Sequence, residues 1–260
     1  MPYIQFEKIQ IGPIIVYVWG IFLVLGILFV LFYSLRKSKS SGIDSNLIID
    51  AFFWLLIGMV MGARLGHVLE YLNYYLSDPV GTLKVWQGGL TFHGGLIGLL
   101  LAGIIFAKVR RISLETFFKT ADIIALSAPL GIAIGRIGCS LINDHIGKET
   151  FLSWAIAWPD GVMRHPVAEY LILGNILIFL ILRFCNKPGL LQKPGRVFFA
   201  FLFLYSVMRF FLDFTRSGDS LYFSLSTAQW LSLAVILGII IEKLIKRSFY
   251  QLKKKNNEKI

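Results

Sequence analysis

Acidic side chains are scarce in this chain, with 15 Asp and Glu against 26 Lys and Arg over 260 residues. Cysteine is scarcer still. The two present, Cys139 and Cys185, fit neither a disulfide framework nor the paired spacing of a zinc site. The four histidines, His67, His93, His145 and His165, form no HExxH arrangement, so no metal site is expected. No internal repeat relates one half of the chain to the other, which weighs against the repeat plan of many secondary transporters. No linker or low-complexity stretch divides it either. A single integral membrane domain over residues 1–260 is the simplest expectation.

Apolar residues fill the space that charge leaves. The chain is 56% hydrophobic and 16% charged, with a mean hydropathy of +0.70, a combination soluble domains rarely reach. Seven apolar runs stand near residues 13–35, 46–66, 94–109, 120–140, 168–185, 196–215 and 226–245. Each is long enough, or nearly so, to cross a core of roughly 30 Å at about 1.5 Å per helical residue. The third is the shortest unless the glycine-rich segment before it joins in. The fold class expected is all-α, a polytopic membrane protein of about seven transmembrane helices.

The basic surplus is placed unevenly. Arg36, Lys37 and Lys39 follow the first run, and Lys108, Arg110, Arg111 and Lys119 separate the third from the fourth. Arg183, Lys187, Lys193 and Arg196 lie between the fifth and sixth. Lys246, Arg247, Lys253, Lys254, Lys255 and Lys259 follow the last. Basic residues mark cytoplasmic loops, so the N-terminus is expected outside and the C-terminus in the cytoplasm, an assignment an odd number of spans also requires. The basic tail at 246–260 is then a topology anchor against anionic lipid rather than a nucleic-acid arm. The first run lacks a basic stretch before it and carries positive charge after it, the pattern of a retained anchor. Outer loops are expected near 70–92 and 141–167, with Trp86, Trp154 and Trp158 at headgroup level.

Residues 86–98 read WQGGLTFHGGLIG, with His93 bracketed by Gly88-Gly89 and Gly94-Gly95. Glycine inside a helix costs about 1 kcal/mol relative to alanine, so four in this stretch predict irregular backbone. At membrane depth such backbone is tolerated where it is buried in protein or lines a wet cavity. His93 is therefore expected in the wall of a site, where an imidazole suits general-base work; a satisfied structural histidine is the plainer alternative.

Arg64, Arg136 and Arg209 each sit in or at the end of an apolar run, where an arginine costs roughly 2.5–3.5 kcal/mol at mid-bilayer. Arg209 has Asp213 four residues on, a spacing that lets the pair compensate itself, and Arg216 and Asp219 follow. Arg136 lies in GIAIGRIGC, where Gly131, Gly135 and Gly138 permit close approach of backbone or ligand. Converging guanidinium forks suit a phosphate, and arginines in the outer half of a bilayer point to a lipid phosphate.

The chain resembles the prolipoprotein diacylglyceryl transferase family. WQGGLTFHGGLIG is similar to its W-x-G-G-x-S-F-H-G-G-L-I-G, with Thr91 for serine, and Asp122 to Gly131 matches D-x-x-A-x-x-x-P-L-G ahead of GRIG. RHPVAEY at 164–170 resembles R-H-P-x-x-x-Y. Tyr205, Arg209, Asp213 and Arg216 resemble Y-x-x-x-R-x-x-x-E-F-x-R, and LSTAQWLS resembles L-S-x-x-Q-x-x-S. The likeness runs from about Gly12 to Gln229 in unbroken motif order.

The resemblance implies transfer of a diacylglyceryl group from phosphatidylglycerol to the lipobox cysteine thiol in a prolipoprotein signal peptide. The place implied is the outer face of the bacterial cytoplasmic membrane, and no cofactor is needed. It implies His93, Arg136 and Arg209 as catalytic residues. Arg64, Gly94, Gly95, Gly135, Gly138, Asp144, Asp213, Arg216 and Trp19 are implied around the substrate, and membrane lipid, not nucleic acid, as partner. This sequence departs from the pattern after Arg136, where Cys139, Ser140 and Ile142 replace asparagine, phenylalanine and asparagine. Asp144 and Asp213 stand one methylene short of glutamate, Trp19 stands at a tyrosine position, and Leu171 replaces a glutamate. Cys139 is expected to pack as a small hydrophobe. Two other readings fit the same residues: a transporter or flippase using the arginines as a transit site, and an inactive relative that binds lipid.

Overall fold

The computed structural model describes residues 1–185, 193–218 and 220–257; Lys187, Asp219 and the last residues of the basic tail lie outside the described residues. Eight α-helices stand among the described residues: α1 (Val18–Ser41), α2 (Ser45–Glu70), the short α3 (Leu72–Ser77), α4 (Phe92–Val109), α5 (Leu114–Ile142), α6 (Val167–Cys185), α7 (Arg196–Leu212) and α8 (Thr227–Asn257). All but α3 are long and apolar enough to cross a membrane, which gives the seven spans that the hydropathy predicts. Among the described residues, strand is confined to three antiparallel pairs: β1 (Lys8–Ile11) with β2 (Ile14–Tyr17), β3 (Ile156–Ala157) with β4 (Met163–Arg164), and β5 (Leu221–Tyr222) with β6 (Leu225–Ser226).

The chain divides into two compact units, one of Leu31–Thr120 and one of Met1–Val30 with Ala121–Ile260. In the Leu31–Thr120 unit, α2 and α4 pack backbone to backbone. Gly58, Gly62 and Gly66 recur every fourth residue on α2, and Gly94, Gly98 and Ala102 repeat the spacing on α4. A Cβ added at Gly62 would meet the carbonyl of Gly94 and the Cα of Gly98, and one at Gly98 would meet the carbonyl of Gly58. Small residues at such spacing let two membrane helices approach closely enough for dense van der Waals contact, the main attraction between helices in lipid.

This packing corrects the expectation of irregular backbone across residues 88–95. The chain is irregular only up to Thr91, and Gly94 and Gly95 lie inside α4. Their helix propensity is poor, but close packing on α2 compensates them. Gly88 and Gly89 serve differently, with φ of 88° and 71°, a left-handed region that side chains with a Cβ rarely adopt.

In the other unit α5 packs on the first half of α1 by the same device. A Cβ at Gly26 would meet the Gly131 carbonyl, and one at Gly138 would come within 2.9 Å of the Trp19 Cα. The Asp122 carboxylate on α5 accepts hydrogen bonds from Gly195 N (2.7 Å) and Phe198 N (2.8 Å), capping α7 from another helix. At the start of α8, Gln229 N donates to Ser226 Oγ (3.1 Å) and Ser226 N donates to Gln229 Oε1 (2.9 Å). That is a reciprocal capping box, with glutamine in the third helical position.

Candidate functional site

Four of the five N–H groups of Arg64 are spent on the loop that leads into α4. Its Nε donates to the Thr82 carbonyl at 2.9 Å, Nη1 to those of Gly88 (2.6 Å) and Gly89 (3.0 Å), and Nη2 to that of Gly81. The guanidinium also lies 5.1 Å from the centre of the Tyr75 ring, and the residue is 7% exposed. A buried arginine engaged this way has its charge compensated by carbonyl dipoles. Arg64, expected at the substrate, is here the fastening of residues 81–89. Thr91 adds to it, with its backbone N–H and hydroxyl both donating to the Ala63 carbonyl at 3.0 and 3.3 Å.

That fastening sets the first turn of α4, where His93 is the second residue. The ring is exposed, stands edge-on to Phe92 at 5.8 Å, and is hydrogen-bonded to no group among the described residues. The plainer alternative, a histidine satisfied by structural hydrogen bonds, does not describe it. Gly94 and Gly95 face the backbone and side chains of α2: Gly62, Gly66, Met59 and Ala63.

In the other unit, Asp213 is fully buried and holds Arg209 by an ion pair of 3.0 Å to Nη2; Arg216 Nε stands 3.8 Å away. Ser226 donates its hydroxyl to the same carboxylate. The side chain of Arg209 is 14% exposed, and its Nη1 is buried without a hydrogen-bond partner among the described residues. Buried donors are nearly always paired, so an orphaned guanidinium nitrogen asks for an acceptor.

Arg136 is itself held. Its Nη1 donates to His145 Nε2 at 2.6 Å and lies 3.7 Å from Cys139 Sγ, while His145 Nδ1 bonds the Asp144 carboxylate. Gly135, next in line, has open space where a Cβ would stand. Gly138 faces α1 at Trp19, whose own side chain is exposed. The Cys139 thiol, an Asp144 oxygen and a His145 nitrogen converge within 4.8 Å of one another, a donor set that zinc accepts by type. Yet both ring nitrogens of His145 are engaged, one by a guanidinium that would repel a dication. The chemistry of this cluster is hydrogen bonding.

Backbone hydrogen bonds tie the segment after α5 to the segment after α7. Lys148 N donates to the Thr215 carbonyl at 2.8 Å and Ser217 N to the Ile146 carbonyl at 2.9 Å. Farther along, Ser140 donates to Glu169 at 2.6 Å, and the Tyr170 hydroxyl accepts from Trp154 Nε1 at 2.9 Å beside His165. Arg164 pairs with Asp160 at 2.6 Å and keeps that carboxyl below the ordinary carboxylate range. Sequence reasoning singled out Arg136, Asp144, Arg209, Asp213 and Arg216, and all of these stand in this unit. It did not single out His145, Glu169 or, beyond its place in the LSTAQWLS motif, Ser226. The adjacency of Asp144 and His145 was the only available signal for the first.

The prolipoprotein diacylglyceryl transferase family model matches residues 7–244. A phosphatidylglycerol–prolipoprotein diacylglyceryl transferase of Bordetella parapertussis is 36% identical over 252 residues, covering 91% of this chain and 93% of its own. Those of Pasteurella multocida (36% over 253 residues, 91% of each chain) and Geobacter sulfurreducens (36% over 241 residues, 88% of this chain and 90% of its own) are as similar. A match of that extent, in a frame of seven apolar helices, establishes that the chain belongs to the prolipoprotein diacylglyceryl transferase family.

Proposed function

We propose that this protein transfers the diacylglyceryl group of phosphatidylglycerol to the thiol of a lipobox cysteine in a prolipoprotein signal peptide, at the outer face of the bacterial cytoplasmic membrane. Family membership and the names of the relatives support the reaction. The orphaned Nη1 of Arg209 is the observation that carries it onto this chain. A phosphodiester supplies the anionic oxygens that such donors lack, and an arginine fork matches them.

In this reading His93 accepts the thiol proton. The sulfur forms a bond to the glyceryl carbon as the carbon–oxygen bond to phosphate breaks, and the oxygen keeps the electron pair. Glycerol phosphate leaves with one more negative charge than the diester carried. Arg136 and Arg209 oppose that charge as it develops, which is where fixed positive groups accelerate a reaction most. A thiol is mostly protonated at neutral pH, so a base beside it raises the fraction of the nucleophilic thiolate. Asp213 keeps Arg209 in place, and the open space at Gly135 leaves room for lipid beside Arg136.

The test is direct. Purified protein in nanodiscs containing phosphatidylglycerol is given a lipobox peptide, and mass spectrometry follows the peptide while glycerol phosphate is assayed. A diacylglyceryl thioether with equimolar glycerol phosphate is expected, abolished by His93→Ala or Arg136→Ala. Lipid redistribution across a bilayer without any peptide adduct would replace this reading with transport.

A further inference from the structure

We propose that His145 is a positioning residue for the guanidinium of Arg136, held in one tautomer by Asp144; its link to catalysis rests on the transferase reading above. The geometry fixes the proton. A guanidinium only donates, so with Arg136 Nη1 at 2.6 Å the His145 Nε2 must be the acceptor and carry no hydrogen. The proton is then on Nδ1, from which it is donated to the Asp144 carboxylate. An imidazole oriented by a carboxylate on one nitrogen is a better acceptor on the other. The second neighbour of Arg136, the Cys139 sulfur at 3.7 Å, is a weak acceptor, so the ring is its principal partner.

The ring is anchored well enough to orient something else. Asn143 opens the segment with φ 49° and donates to the Ile4 carbonyl. Gly147 follows with the backbone of His165 where a Cβ would stand. Lys148 N bonds the Thr215 carbonyl and Ser217 N the Ile146 carbonyl, so His145 rides on the same framework that carries Asp213, the partner of Arg209. Among the described residues, Arg136 Nε and Nη2 bond no side chain or carbonyl and stay available to an anion, while Nη1 is held from behind. Asp144, His145 and Arg136 thus form a chain whose end is aimed. This gives Asp144 its role through His145 rather than through the lipid.

Three variants separate aiming from simple support. A glutamine places its amide where Nε2 stands and can accept from Arg136; an asparagine reaches only the Nδ1 position and so only Asp144; leucine reaches neither. His145→Leu is expected to lower kcat/KM for phosphatidylglycerol about tenfold, mostly through KM, the scale of one lost bond to a charged group. His145→Gln is expected to recover most of that loss and His145→Asn little of it. Full recovery by asparagine, or wild-type kinetics in the leucine variant, would overturn the proposal. If leucine prevents folding, glutamine against asparagine alone decides.

A second measurement does not depend on turnover. In protein carrying 15N-labelled histidine, with His145→Gln used to assign the signal, the ring should show a bare Nε2 and a protonated Nδ1. A ring protonated on Nε2 would refute the assignment. Should the wild type form no thioether, the transferase reading fails, and this spectrum still judges the Asp144–His145–Arg136 chain.

Discussion

Arg64 and Arg209 place the same side chain in two different situations. Arg64 spends four of its five N–H groups on backbone carbonyls, whereas Arg209 keeps a buried Nη1 with no partner among the described residues. Lysine substitution separates them. An ammonium has three donors and no planar fork, so Arg64→Lys leaves carbonyls of the 81–89 segment unpaired and is expected to cost about 1–3 kcal/mol, read as a lower thermal midpoint in detergent. Arg209→Lys preserves the charge opposite Asp213 and should barely move that midpoint. It removes the spare donor, and KM for phosphatidylglycerol should rise about tenfold. Arg209→Ala, which strands a buried carboxylate, is expected to destabilise by about 3–5 kcal/mol.

Sequence could show that three arginines sit in apolar runs, because that depends on composition. It could not show which of them is satisfied, because the carbonyls of Gly81, Thr82, Gly88 and Gly89 are partners that any residue would supply. Arg209 was legible in part, since its i+4 spacing to Asp213 encodes the ion pair. His145 lacks such a periodic cue: its partner Arg136 is reached only once the chain turns at Asn143.

At the scale of elements, glycine works by location. Gly62→Ala and Gly98→Ala would drive a methyl into the facing helix backbone, so each should lower stability by at least about 1–3 kcal/mol, measured by thermal unfolding. Gly135→Ala meets nothing within 4 Å and sits in a helix, so its stability should hold or rise by up to about 1 kcal/mol. If lipid approaches there, transferase activity falls while the protein stays folded, an outcome that no packing defect produces. Asp122→Ala removes the acceptor for two N–H groups at the start of α7, with an expected loss of about 1–2 kcal/mol. The seven spans were legible as hydropathy, but the function of Gly94 and Gly95 was not. Poor helix propensity reads as a break until the facing stripe on α2 is known. Ser226 and Gln229, matched as a motif, prove to be the capping box of α8, with Ser226 also bonded to Asp213.

For the whole molecule, the distribution of Lys and Arg predicts orientation. Basic residues cluster in the last turns of α1, around the α4–α5 connection, at the facing ends of α6 and α7, and in the last turns of α8, a distribution that predicts an outside N-terminus and a cytoplasmic C-terminus. A fluorescent protein fused after residue 260 should mature and glow, and alkaline phosphatase fused at the same point should stay inactive. The reverse pattern would invert the membrane assignment and move His93 to the cytoplasmic side. The segment at 81–89 would then face a different compartment, with its fastening unchanged.

That fastening bears on how the segment can change over time. Arg64 grips main-chain oxygens, which every amino acid carries, so the loop's conformation is largely independent of its spelling. Only Gly88 and Gly89, with their left-handed torsions, are constrained by the backbone itself. Leu83 and Trp86, 74% and 77% exposed, are free to drift. The outward chemistry of this segment can be retuned for a new lipid or peptide neighbour by mutation while the turn that delivers His93 keeps its shape.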